Sequence, residues 1–195
     1  MMCDFKRLSF LFAVLVLFPA TAWAEAPRET LQRSVDQVIL LLQDPAYKDA
    51  ATKPGMREKL IKTVQGIFDA KELSRRALAT NWDKFSPAQQ ERFSEAFLTL
   101  LQNTYLDRIE SYTDEKVNYL AEKMLAADRA EIPTIVNSKG RDIPITYRML
   151  NANGWRVYDV VIEGVSLVQN YRNQFSQILM KDSPDKLIDM LGKKS

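Results

Sequence analysis

The 195-residue sequence contains no histidine, and its one cysteine, Cys3, stands at the extreme N-terminus. Without histidine the chain lacks the commonest general base, the commonest zinc ligand and the partner of a Ser-His or Cys-His nucleophile. Net charge is nearly absent as well, since 27 Lys and Arg face 25 Asp and Glu to leave +2, with no basic run. Nucleic-acid affinity comes from clustered cations that displace counterions, so that class of ligand is excluded too. The six glycines are scattered singly from Gly55 to Gly192, and none forms a phosphate-cradling loop. These absences remove zinc enzymes, serine and cysteine hydrolases, nucleotide binders and nucleic-acid binders, and no cofactor is expected.

One long hydrophobic run is present, at the start. Lys6 and Arg7 precede the predominantly apolar stretch from Leu8 to Phe18, and Pro19 and then Ala22-Trp23-Ala24 follow it. A basic flank, a short apolar segment and a small-x-small site are the marks of a secretory signal peptide. The run falls short of the roughly 20 residues that a spanning helix needs. Residues 1–24 are therefore read as a signal peptide cleaved after Ala24, and residues 25–195 as a single exported domain. Cys3 precedes the apolar run, so no lipidation is expected and the mature chain has no thiol. Losing Lys6, Arg7 and Asp4 lowers the net charge from +2 to +1. An exported protein without disulfides suits a bacterial periplasm.

The mature chain opens with helical periodicity. Leu31, Val35, Val38, Ile39 and Leu42 recur at steps of three and four, and Met56, Leu60, Ile61, Val64, Ile67 and Phe68 do so after the Pro54-Gly55 turn. Asp69 and Glu72 fit a cap-and-reach-back pair opening a short helix through Leu78. Ser86-Pro87-Ala88-Gln89 combines a capping serine, a first-turn proline and a glutamine to bond back. The helix it starts is expected to be the longest, with an aromatic-rich face reaching about Ser111. Beyond Tyr112 the period becomes two. Val117 and Tyr119, then Ile132 to Val136, Ile143 to Met149 and Trp155 to Val161 predict four strands, the last three an antiparallel meander. Because Tyr158, Val160 and Ile162 interleave with that last set, the final strand is expected to be central and covered on both faces. Ser166 to Gln169 repeats the capping signature before another amphipathic helix, and Ser183-Pro184 starts a last one. Helices, strands and helices in that order predict an α+β fold with a twisted antiparallel sheet of about four strands.

Little in this pattern carries chemistry. Asp159 and Glu163, if both lie on one strand, stand roughly 13 Å apart, too far for a cooperating carboxylate pair. The plainer reading is that one of them is a strand-end charge paired with Arg156 or Arg172. Ser166 lacks an activating histidine and occupies a capping position. The tyrosines 105, 112, 147, 158 and 171, together with Phe93, Phe97 and Phe175, form an aromatic set whose periodicity shows burial without saying what is buried.

The residues in sequence do resemble a known family. Phe68-Asp69, Ser74 to Leu78, Trp82, Ser86 to Phe93, Ala96-Phe97, Leu100-Leu101 and Thr104-Tyr105 are similar to the first half of the Mla-type periplasmic phospholipid carriers, the toluene-tolerance auxiliary family. Gly154-Trp155-Arg156-Val157-Tyr158-Asp159-Val160-Val161-Ile162-Glu163-Gly164-Val165-Ser166, followed by Asn170-Tyr171-Arg172 and Gln174-Phe175, resembles its most characteristic stretch. The resemblance covers about residues 30 to 192. Ala79-Thr80-Asn81 departs from it where the family usually has a glycine before the tryptophan, as does Asp182-Ser183-Pro184-Asp185 in place of a glycine-bearing turn.

The resemblance implies a nuclear-transport-factor-like wedge enclosing an apolar lipid cavity, with bound phospholipid as cargo rather than cofactor. It implies exchange with an outer-membrane lipoprotein-porin complex and with the substrate-binding ring of an inner-membrane ABC transporter, and so upkeep of outer-membrane lipid asymmetry. The residues then expected against lipid are Phe93, Phe97, Leu101 and Tyr105 on the long helix, Ile145, Tyr147, Val160 and Ile162 on the sheet, Val165 beyond it, and Val168, Tyr171 and Phe175 on the following helix. Val165 would lie between the central strand and a cavity-closing helix. Two other readings stay open: a small enzyme of the same wedge fold using Asp159 as general base in an apolar pocket, and a non-lipid envelope adaptor with a filled core.

Overall fold

A computed structural model describes residues 26–112, 116–138 and 140–193. The signal-peptide assignment to residues 1–24 lies outside them. Among the described residues no helix is long and apolar enough to cross a membrane. The helices before the sheet are α1 (Pro27–Gln43), α2 (Pro45–Lys48), α3 (Lys53–Ile67), α4 (Ala70–Leu78) and α5 (Pro87–Glu110). Strands β1 (Lys116–Tyr119), β2 (Lys123–Ala126), β3 (Arg129–Ser138), β4 (Arg141–Asn151), β5 (Trp155–Ile162) and β6 (Val165–Ser166) follow, then α6 (Leu167–Leu179) and α7 (Pro184–Gly192). The α+β order is as expected, with two short strands more than the four predicted.

The caps explain the boundaries. The Ser86 hydroxyl accepts from the Gln89 amide at 3.3 Å, and the Gln89 side chain accepts from the Ser86 amide at 2.9 Å, a complete capping box that opens the 24-residue α5. Asp69 accepts from the Glu72 amide at 2.9 Å, but Glu72 does not reach back. Its carboxylate instead bonds Arg75 and Arg76 along the same helix. Trp82 and Phe85 are buried around a 3₁₀ turn at Ala79–Lys84. That turn begins at Ala79 with φ 49° and ψ −122°, a backbone conformation suited to glycine.

The sheet is antiparallel in the order β1-β3-β4-β5-β6, with β2 pairing the same edge of β3 as β1 does. The final long strand is therefore not central. β5 is flanked by β4 along its length and on its other side by the two-residue β6 and by Phe68, whose backbone bridges to Val157. The apolar residues on both of its alternating sets also have a different cause from burial on two faces. Arg148 pairs with Asp159 while the next residue, Met149, pairs with Val157, so Tyr158 is a bulge. An extra residue reverses the alternation beyond it. Trp155 and Val157 before the bulge, and Val160 and Ile162 after it, consequently share one face with Met149, Tyr147 and Ile145. Tyr158 itself is buried, with the Arg76 guanidinium 3.9 Å from its ring centroid.

Two kinds of interior result. Between α4, α5, α6 and α7 lies a filled core in which Phe93, Phe97, Tyr171 and Phe175 stack, with centroids 5.0 to 5.7 Å apart. Most of these contacts are edge-to-face, as ring quadrupoles prefer. Between the sheet and α1 the packing is incomplete.

Candidate functional site

A cavity of about 500 Å³ separates the Met149 face of the sheet from α1 and α5. α1 contributes Leu31, Val35, Val38, Ile39 and Leu42, the whole apolar stripe seen in the sequence. α5 contributes Phe97, Leu98, Leu101, Gln102, Tyr105, Arg108 and Ile109, spaced by successive helical turns. The opposite wall is Val117, Val136, Ile143, Ile145, Tyr147, Val160 and Ile162, and Leu167 with Val168 closes one end.

Eight of the twelve residues nominated from the sequence stand on this wall: Phe97, Leu101, Tyr105, Ile145, Tyr147, Val160, Ile162 and Val168. Four do not. Phe93 and Phe175 are buried inside the filled aromatic core, and Tyr171 packs against that core beside Phe97. Phe93 lies one helical turn from Phe97 on the same stripe, but its ring meets Phe85 and Phe175 instead of open space. Val165 corrects a further expectation. Glu163 and Gly164, with φ of 48° and 84°, form a two-residue hairpin turn that carries Val165 outward, and it is 57% exposed.

The wall residues that sequence reasoning missed come chiefly from α1, from α5 and from the β3–β4 hairpin. Their signal was present as amphipathic periodicity, which marks a face that avoids water but cannot distinguish filled from unfilled space. The long i+4 row from Phe97 to Leu101, Tyr105 and Ile109 is the clearest indication available in the sequence.

Electrostatically the cavity is quiet. Burial pushes the Tyr147 hydroxyl up to about 12 and raises that of Tyr105, so both remain neutral phenols. Two ionic side chains touch the lining, Asp159 and Arg108. Asp159 is 3% exposed, and both of its oxygens are occupied. One accepts from the Val168 amide at 3.1 Å; the other accepts from the Ser166 hydroxyl at 2.7 Å and from Arg148 Nη1 at 3.1 Å. Arg148 also donates to Glu131 at 2.9 Å, which makes a Glu-Arg-Asp row across β3, β4 and β5. Asp159 thus fastens the start of α6 to the sheet, and neither Arg156 nor Arg172 is its partner. Arg172 instead donates twice to the Arg76 carbonyl, and Glu163 pairs with Arg141. A general base needs a lone pair directed at its substrate, whereas the Asp159 carboxylate is committed to the fold. Among the described residues no cluster of His, Cys, Asp or Glu is arranged to hold a metal ion.

The arrangement is a one-sheet α+β domain with an apolar, nearly uncharged cavity between the sheet and α1, the class of fold that can accommodate hydrocarbon between its layers. The MlaC protein family model matches residues 32–193, and the chain belongs to that family. It is 23% identical over 185 residues to the toluene tolerance protein ttg2D of Pseudomonas putida, covering 92% of this chain and 86% of that protein. It is 25% identical over 192 residues to the intermembrane phospholipid transport system binding protein MlaC of Haemophilus influenzae, covering 94% and 90% respectively. A solved structure of the phospholipid-binding protein from Ralstonia solanacearum, in complex with a phospholipid, superimposes with a TM-score of 0.76 at 25% identity, covering 87% of this chain and 97% of that one.

Proposed function

We propose that the mature protein is a periplasmic phospholipid carrier that shields acyl tails in the cavity between α1, α5 and the sheet. The observation that supports it is the open volume of about 500 Å³ with almost wholly apolar walls, in a chain whose relatives are named for phospholipid transport and binding. A diacyl lipid exposes about thirty methylene groups at ~0.8 kcal/mol each, so water opposes its free passage by more than ~20 kcal/mol. Filling about 500 Å³ of apolar space recovers on the order of 12 kcal/mol at about 24 cal/mol per Å³. Such recovery is non-directional, which suits tails of varied length.

In this reading Phe97, Leu101, Tyr105, Ile145, Tyr147, Val160, Ile162 and Val168 contact the tails. The carrier loads and unloads at an outer-membrane lipoprotein-porin complex and at the substrate-binding ring of an inner-membrane ABC transporter, and so maintains outer-membrane lipid asymmetry. Its signal peptide is removed after Ala24. Organic extraction of protein purified from its natural host, with mass spectrometry of the extract, tests the carrier reading. Phospholipid at near one equivalent supports it; a lipid-free protein that turns over a small apolar substrate overturns it. Intact mass of the same sample tests whether the chain starts at Glu25.

A further inference from the structure

We propose that Arg108 seats the phosphate of the bound lipid and so fixes which end of the lipid enters the cavity; this inference rests on the phospholipid reading. The cavity has a closed end and an open end. At the closed end Phe97, Val160 and Val168 are buried, whereas Arg108 and Ser111, farther along α5, are exposed at the lip. Tails enter toward the buried end because that is where apolar surface leaves water.

Arg108 is the one cation of the described lining, and no described carboxylate pairs with it. The adjacent acids are engaged elsewhere: Arg57 Nε contacts Glu110 at 2.7 Å, and Arg57 Nη2 lies 3.9 Å from Asp107. The Arg108 guanidinium is held toward the wall, 6.0 Å from the ring centroid of Tyr105, itself a lining residue. The result is an exposed planar cation at the rim of an apolar slot, with no carboxylate partner among the described residues. A guanidinium offers paired N–H donors that match phosphate oxygens.

The vertical distance fits. At about 1.5 Å per residue, Arg108 stands roughly 16 Å along α5 from Phe97. One leaflet of a bilayer with a hydrocarbon core of about 30 Å is roughly 15 Å deep. A tail resting on Phe97 therefore brings the lipid's phosphate to the level of Arg108. Because the contact is to the phosphate, it serves any glycerophospholipid and does not select among headgroups.

The test measures displacement of a fluorescent hydrocarbon probe, diphenylhexatriene, from delipidated full-length mature protein. The competitors are dioleoylphosphatidylglycerol, dioleoylglycerol with the same tails, and glycerol 3-phosphate. Arg108→Gln is expected to weaken phosphatidylglycerol roughly tenfold and to leave dioleoylglycerol within twofold, while Arg108→Lys recovers part of the loss. Glycerol 3-phosphate should displace no probe from any variant. Equal losses for both lipids, or none for either, would overturn the assignment, as would Arg108-dependent binding of glycerol 3-phosphate without a lipid effect, which would make the site one for a free phosphate. If the unaltered protein holds dioleoylglycerol but not phosphatidylglycerol, the headgroup seat fails and the hydrocarbon cavity stands. If neither lipid displaces the probe, the carrier reading fails with it. Arg108 is exposed, so the variants should keep the melting temperature of the parent.

Discussion

Placing a carboxylate on the cavity wall separates a lined cavity from a packed core. Ile145 is half-buried at mid-sheet, opposite Thr134 on β3 and Ile162 on β5, with its carbonyl accepting from the Thr134 hydroxyl at 3.0 Å. In the empty cavity a glutamate at position 145 can keep water, so Ile145→Glu should cost about 1 kcal/mol of stability, the transfer energy of a half-buried side chain. Hydrocarbon filling the cavity removes that water, and the acid must then be neutral. Protonating a carboxyl of ordinary pKa about 4.3 at pH 7 costs ~3.7 kcal/mol, a loss of roughly 500-fold in lipid affinity. At pH 5 the cost falls to ~1 kcal/mol, roughly fivefold. The sign follows because the lipid-bound state raises the carboxyl pKa: binding is strong below the free value and is lost as pH rises. Probe displacement at pH 5, 6 and 7, with thermal melts of the same samples, reads both quantities. A pH-independent loss would refute the reasoning, as would a variant unfolded in the way expected of Ile132→Glu at a fully buried site.

Three other outcomes follow from the geometry. Val165→Glu, on an exposed hairpin residue, should change stability by less than about 0.5 kcal/mol and leave lipid content intact; lipid loss would return Val165 to the site. Ala79→Gly should raise stability by about 1 kcal/mol in urea titration, because relief of a positive-φ strain exceeds the added unfolded-state entropy, and a fall in the urea midpoint would contradict the assigned backbone. Asp159→Ala should cost about 3 kcal/mol, since it strands the Val168 amide and half of the Arg148 ion pair; a variant that melts with the parent would show that Asp159 is not structural.

Much of the fold was legible because its helix starts are chemically explicit. Serine or aspartate before an apolar stripe, joined in α5 and α7 by proline at the first turn, marked α4, α5, α6 and α7 to within a residue or two. β2 escaped because Lys123-Met124-Leu125-Ala126 runs its apolar residues together without alternating, and β6 because two residues cannot alternate. The place of β5 was misread for a different reason: a bulge makes two offset alternations look like a doubly buried strand. The site was half legible. Phe97 and Phe93 are chemically identical residues one turn apart, and only their tertiary surroundings tell them apart: Phe93 is enclosed by Phe85 and Phe175, whereas Phe97 also borders the cavity. Tertiary geometry of that kind leaves no trace in local periodicity.

The bulge at Tyr158 also governs how this wall can change. Substitutions at Val160 or Ile162 alter the breadth of the cavity by degrees, one side chain at a time. Straightening the strand with Tyr158 drawn into the pairing would do something discontinuous: strict alternation would turn Val160 and Ile162 toward the Arg148 side and present Asp159 and Val161 to the cavity, whereas deleting Tyr158 would leave Asp159 opposite Arg148 and Val160 opposite Tyr147. The composition of this strand is therefore adjustable by small steps, while its bulge acts as a reading frame for which side is greasy.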